Sequence, residues 1–151
     1  MPNIHPTALV SKNSQLHDEV EVGPFAIIED GVILRSGCKV DSHAKICQGV
    51  IMGRNNLVGH GAVIGGAPQD LEFDLGIESG VLVGNDNHFR EYVTIHRSTQ
   101  SDGNTIIGDG NFLMAVAHIA HDVVVGNKNI LANNTMIAGH VTLGNHTFLG
   151  G

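Results

Sequence analysis

The sequence predicts an all-β fold, a parallel β-helix built from hexapeptide repeats. Three observations carry that prediction: one large apolar residue recurs every six positions, glycine far outnumbers proline, and aromatic residues are scarce. The series Ile4, Val10, Leu16, Val22, Ile28, Leu34, Val40, Ile46, Met52, Val58 and Ile64 is aliphatic or Met throughout. Four positions after each comes a mostly small or β-branched residue, among them Ala8, Val20, Ala26, Val32, Cys38, Ala44 and Val50. Neither the 3.6-residue period of a helix nor the two-residue period of an ordinary strand produces a strict six. In a solenoid it is natural, because each unit supplies one short strand and one corner with its apolar residue inward. Twenty Gly against four Pro points to many tight corners, and a hydrophobic content of 42% is too high for a disordered chain. With one Tyr, five Phe and no Trp, the core must be filled by aliphatic and small side chains.

The elements follow in order. The first block runs unbroken from Ile4 to Ile64, often with Gly directly after the aliphatic residue, as at Gly23, Gly53, Gly59 and Gly65. Residues Gln69 to Gly80 then break the period, which resumes at Val83, Phe89 and Ile95. A second break, "STQSDGNT" from Ser98 to Thr105, precedes the last block from Ile107 to Leu149. Neither break fits the wall of a coil, so loops near 69–80 and 98–105 are predicted to project from one domain spanning 1–151. Insertions in solenoids tend to map to the binding face. Gly151 is only the third residue of its hexad, which predicts a chain that stops in mid-coil and is a fragment of a longer protein, since an open last coil leaves strand edges unpaired.

Composition narrows the function. The formal charge is −7 and the eight Lys and Arg are scattered, which argues against nucleic acid. No segment has the make-up of a signal peptide, and no run of 18 apolar residues predicts a membrane span. Cys38 and Cys47 read as two packed thiols in a reducing compartment, the cytoplasm.

The repeat resembles that of known hexapeptide-repeat proteins, whose coils take three hexads and wind left-handed. The resemblance implies 18 residues per coil, strands stacked at about 4.8 Å, and about seven coils forming a prism on the order of 34 Å long. The left hand departs from the usual right-handed crossover rule and rests on the resemblance alone. Given that coil length, the stretch "HIAHD", His118 to Asp122, acquires neighbours: His121 stacks on Gly139 and Asp122 on His140. His118 and His121 flank the inward Ile119, so both are expected outside, near one corner. Spacing alone leaves His121 and Asp122 either a base with its helper or polar residues on a surface turn.

A further resemblance is carried by ordered motifs: "GGAPQDL" (Gly65 to Leu71), "REYVTIHR" (Arg90 to Arg97), "MAVAHIAHD" (Met114 to Asp122), "NKNILANN" (Asn127 to Asn134) and "AGHV" (Ala138 to Val141). Together with the hexads they resemble the N-terminal repeat region of the UDP-N-acetylglucosamine acyltransferase family, which catalyses the first step of lipid A biosynthesis. That resemblance implies a cytoplasmic homotrimer with active sites between subunits. It implies transfer of a 3-hydroxyacyl chain from acyl carrier protein to the 3-hydroxyl of the sugar nucleotide, with no cofactor and no metal. By position, His121 matches the general base, Asp122 its partner, and Gly139 the residue whose backbone N–H faces the thioester oxygen. Gln69, Asp70, His118 and His140 match sugar-contacting positions, and His96 a further active-site histidine. A sugar hydroxyl is a weak nucleophile, and an imidazole with a pKa near 6.5 is suited to take its proton. No Ser or Cys nucleophile is then required, so direct attack without an acyl-enzyme is expected.

Glu72 stands where the family usually has Lys beside "QDL", an anion in a cleft for a nucleotide diphosphate, which should weaken such a substrate by repulsion and leaves a diverged paralogue with a different acceptor as an alternative. Arg90, Arg97 and Lys128 are the basic residues available for docking acidic acyl carrier protein. Two other readings compete. His96, His118 and His121 offer imidazoles for a zinc-dependent hydratase resembling the gamma-class carbonic anhydrases. A trimeric scaffold without catalysis would use the same repeats.

Overall fold

In the computed structural model, which describes residues 1–150, the chain forms 22 short strands, from β1 (Asn3–Ile4) to β22 (Phe148–Leu149). Every third strand shares a sheet. The first sheet runs from β1 to β22 with eight strands, the second from β2 (Leu9–Val10) to β20 (Met136–Ile137) with seven, and the third from β3 (Gln15–Leu16) to β21 (Thr142–Leu143) with seven. All the pairings are parallel. The chain thus winds through first, second and third sheet in turn, three hexads to a coil, as a parallel β-helix of the expected kind.

The register shows why a six-residue period suffices. Val22 pairs with Val40, and Val40 with Val58, each inward and almost fully buried. The small residue four positions on, such as Ala26, Cys38 or Ala44, is equally buried and fills the corner. Burying each Val, Ile or Leu contributes roughly 1.5–3 kcal/mol, and the stacked column together with these corner residues makes up the core. Both cysteines are buried free thiols, Cys38 within that core and Cys47 outside it; burial raises the pKa of each, that of Cys47 to about 11, so neither is a ready nucleophile at neutral pH.

The corners are sharper than glycine content suggests. Three residues after the inward aliphatic, the backbone turns through the left-handed region at Glu19, Phe25, His43, Tyr92, Val116, Asp122 and His140, with φ between 58° and 65°. For a residue with a Cβ this costs roughly 1–2 kcal/mol. The corner N–H offsets it by donating to a carbonyl one coil back, as Tyr92 does to His60 at 2.9 Å and His140 to His121 at 3.1 Å. Glycine is needed instead where coils touch: a Cβ on Gly59 would sit 2.7 Å from the backbone carbon of Arg90.

Two longer excursions interrupt this order, both between the second sheet and the third. One links β11 (Val63–Gly66) to β12 (Gly80–Val83), the other β14 (Thr94–His96) to β15 (Asn104–Ile107). Register across them lengthens accordingly: Val63 pairs with Thr94, and Thr94 with His118. The two project from one edge of the prism, stacked one above the other. Arg97 ties down the first, donating to Ser79 Oγ at 2.9 Å and Leu75 O at 3.2 Å and lying 4.9 Å over the Phe73 ring.

Candidate active site

The edge that carries both loops also carries the histidines. His118 lies on the outer face of β17 (His118–Ile119), registered between Thr94 and Met136. His121 and Asp122 form the corner that follows, and Gly139 and His140 the corner one coil on. The His121–Gly139 and Asp122–His140 pairs meet as the 18-residue spacing predicts. A Cβ on Gly139 would lie 2.7 Å from His121 Cε1 and 2.8 Å from Nε2, so this position has no room for a side chain. Asp122 and His140 both adopt left-handed backbone, at φ 60° and 64°, which aims both side chains off the same edge.

Asp122 is the anchor, with its side chain only 11% exposed. Ser98 Oγ donates to its Oδ1; Thr99 Oγ1 and the Thr99 N–H donate to Oδ2 at 2.5 and 3.2 Å. The Asp122 N–H donates to Thr105 Oγ1 at 3.0 Å. Burial alone would raise this carboxyl, but the donors from Ser98, Thr99 and His121 outweigh it and hold the pKa at about 2. An ionised Asp122 accepts from His121 Nδ1 at 2.9 Å. The proton on that bond fixes His121 as the Nδ1–H tautomer, leaving Nε2 with a free lone pair.

The neighbouring imidazoles differ. His118 Nδ1 lies 2.7 Å from Thr94 Oγ1, and burial lowers its pKa, partly countered by a hydrogen bond to the Thr94 backbone. His96 packs edge-on against His118 with ring centroids 4.5 Å apart, and its buried Nδ1 has no hydrogen-bond partner. Burial, then the nearby His118 and His121, push its pKa down to about 4, so it is neutral at working pH. His140 stands more exposed, its ring centroid 5.1 Å from that of His121. A cavity of about 280 Å³ opens between these groups, lined by Gln69, His96, His118, His121, Met136 and Ala138 among others.

Of the eight residues singled out from sequence, Gln69, His96, His118 and His121 line this cavity, and Asp122, Gly139 and His140 adjoin it. Asp70 does not reach it: its Oδ1 instead accepts the Glu72 N–H at 3.0 Å, and both residues are exposed on the first loop. The zinc set His96, His118 and His121 is not assembled; among the described residues the three-group cluster within metal-binding reach is His121, Asp122 and His140. The basic patch dissolves too. Arg90, Arg97 and Lys128 fall at three different edges of the prism, Arg97 is engaged by the first loop, and Arg90 pairs with Glu91 at 2.6 Å. Ser98, Thr99 and Thr105 escaped the sequence reading because the second loop offsets them by 24, 23 and 17 residues from their partner, not by a whole coil.

The fold and this edge define a hexapeptide-repeat β-helix protein. Residues 104–139 match the family model described as bacterial transferase hexapeptide (six repeats). More particularly, the chain is related to the UDP-N-acetylglucosamine acyltransferases. It is 44% identical over 134 residues to the acyl-[acyl-carrier-protein]–UDP-N-acetylglucosamine O-acyltransferase of Thermodesulfovibrio yellowstonii, covering 88% of this chain and 52% of that one. Among solved structures it is similar to the UDP-N-acetylglucosamine acyltransferase from Campylobacter jejuni, at TM-score 0.93 and 37% identity over 99% of this chain and 58% of that one. It is also similar to the Arabidopsis enzyme of the same name, at TM-score 0.79 and 35% identity over 96% and 58%. The chain spans about half the length of the curated relatives it matches.

Proposed function

We propose that this protein is an O-acyltransferase that moves a 3-hydroxyacyl chain from an acyl carrier protein thioester to the 3-hydroxyl of a UDP-N-acetylglucosamine-type sugar nucleotide. The observation that carries the reading is the His121–Asp122 pair: a base with a free Nε2, oriented by an ionised carboxylate, at the edge of a cavity walled by Gln69, His96 and His118. The names of the relatives supply the substrate classes.

In this mechanism His121 Nε2 takes the proton of the sugar hydroxyl as its oxygen attacks the thioester carbonyl carbon. The tetrahedral oxyanion is met by the Gly139 N–H. It collapses with cleavage of the carbon–sulfur bond, and the imidazolium returns the proton to the departing thiolate. Asp122 stays ionised throughout and stabilises the imidazolium. A positioned base contributes roughly 10²–10⁴-fold and one oxyanion donor about 10²–10³-fold. Neutral His96 and His118 leave the cavity free of a competing cation and available to hydroxyl groups of a sugar.

Assembly into a cytoplasmic homotrimer belongs to the same reading. On the third sheet, which borders the site, Ile51, Leu82, Ile106 and Val124 form one outward column by register, and Ile51, Ile106 and Val124 are exposed. A second copy packed against that column would cover it and wall the cavity. The test is direct: the intact protein incubated with 3-hydroxyacyl-[acyl carrier protein] and UDP-N-acetylglucosamine should yield the 3-O-acyl ester and free carrier thiol. An intact oligomer that binds neither substrate would overturn the reading in favour of a scaffold.

A further inference from the structure

The His121, Asp122 and His140 side chains do more than surround a base. Their ligand atoms lie within 4.8 Å of one another, with His121 Nδ1 2.9 Å and His140 Nε2 3.8 Å from Asp122 Oδ2. Four ligands on a zinc ion at bond lengths of 2.0–2.2 Å stand about 3.4 Å apart, and the two distances from Asp122 Oδ2, 2.9 and 3.8 Å, bracket that spacing. Two imidazoles and one carboxylate with a further position open to solvent is a donor set that zinc accepts. The set is also held in place. Asp122 is fixed by Ser98 and Thr99, the supporting hydrogen bonds that a ligating carboxylate needs. The His140 N–H donates to His121 O at 3.1 Å, which locks the two corners together.

We propose that His121, Asp122 and His140 form a binding site for a divalent transition-metal ion of zinc's kind, and that filling it switches off acyl transfer. The second half rests on His121 being the base. The ion would take the place now held by the proton between His121 Nδ1 and Asp122 Oδ2. That proton then moves to the only other ring nitrogen, Nε2, and the imidazole stays neutral. His121 thereby becomes the Nε2–H tautomer, with no lone pair for the sugar hydroxyl. Metal and base therefore compete for one tautomer, so the ion is an inhibitor, in contrast to the zinc-dependent hydratase that His96, His118 and His121 would have made.

The test titrates the intact, metal-free protein with Co²⁺, followed by its visible absorption, and with Zn²⁺ in competition, alongside transfer assays over the same Zn²⁺ range. One ion per chain is expected. Affinity should fall at least about tenfold in both His140→Ala and His140→Gln, each checked for a native melting profile, and stay unchanged in His146→Ala on another edge. Zinc should inhibit wild-type transfer over the range in which it binds, and a chelator should restore it. No stoichiometric binding, or binding unaltered by both His140 changes, would overturn the site. Stoichiometric binding with transfer undiminished would overturn the inhibition. A metal-free protein that transfers no acyl group would count against the acyltransferase reading, and the binding titration would still decide the site.

Discussion

Two edges of this prism share one corner geometry and use polar side chains in opposite ways. Where the third sheet turns into the first, Asn56, Asn87, Asn111 and Asn129 are all buried and stacked. Each of Asn87, Asn111 and Asn129 donates its backbone N–H and Nδ2 to the Oδ1 of the residue before it, at 2.9–3.1 Å, and Thr147 N caps the last. Their amides also donate to Gly84, Gly108, Gly126 and Gly144 carbonyls. Where the second sheet turns into the third, the residue changes at every rung, from Arg97 to His121 to Gly139. There the polar groups meet the loops, and one of them, His96 Nδ1, is buried without a partner. A repeated residue can satisfy its own copies and becomes structure. A changing one leaves hydrogen-bonding capacity over, and that remainder is available to a substrate.

The contrast can be broken from either side. The largest effect is expected at the changing edge, where His121→Ala should lower transfer roughly 10²–10⁴-fold while leaving the melting temperature close to wild type. At the repeated edge the consequences invert. Asn111→Ala should cost about 2–4 kcal/mol in denaturant unfolding, because it strands the donors of Asn129 and the acceptor of Asn87 in the core, with the activity of each folded molecule retained. Ser98→Ala removes one donor to Asp122 and should reduce kcat about tenfold with KM little changed; a fall in stability alone, with kcat intact, would make Ser98 merely structural.

The smallest effect is a pH dependence. His96 is held near 4 in the folded protein and titrates near 6.5 when unfolded. Between these values the unfolded chain binds a proton that the folded one refuses. Stability is therefore full above about pH 6.5 and declines as the pH falls toward 4. His96→Gln should flatten that decline, by no more than about 1.4 kcal/mol per pH unit, in unfolding midpoints measured across the interval.

Much of this was legible in the residues. The period of six located the inward column from Val22 to Ile137, since a buried large side chain in each strand is a demand that packing cannot relax, although Ile4 in the first coil is 39% exposed; the 18-residue coil then brought His121 to Gly139 and Asp122 to His140. The left-handed corners were not legible, because only some of them use glycine; Val116 and Tyr92 adopt the same φ through hydrogen bonds between coils. Nor were the partners of Asp122. Ser98 and Thr99 reach it across a loop whose length shifts the register, and no period connects them. Asp70 shows the converse, a residue placed in a convincing motif whose carboxylate caps its own turn.

If Asp122 fixes the tautomer of His121, the protons on that ring report it. Long-range proton–nitrogen correlation spectra of the ¹⁵N-histidine-labelled protein, assigned by comparison with His121→Ala, should show a protonated Nδ1 and an unprotonated Nε2 at His121, with that preference lost in Asp122→Asn. A proton resident on Nε2 in the wild type, or a tautomer indifferent to Asp122, would contradict the account.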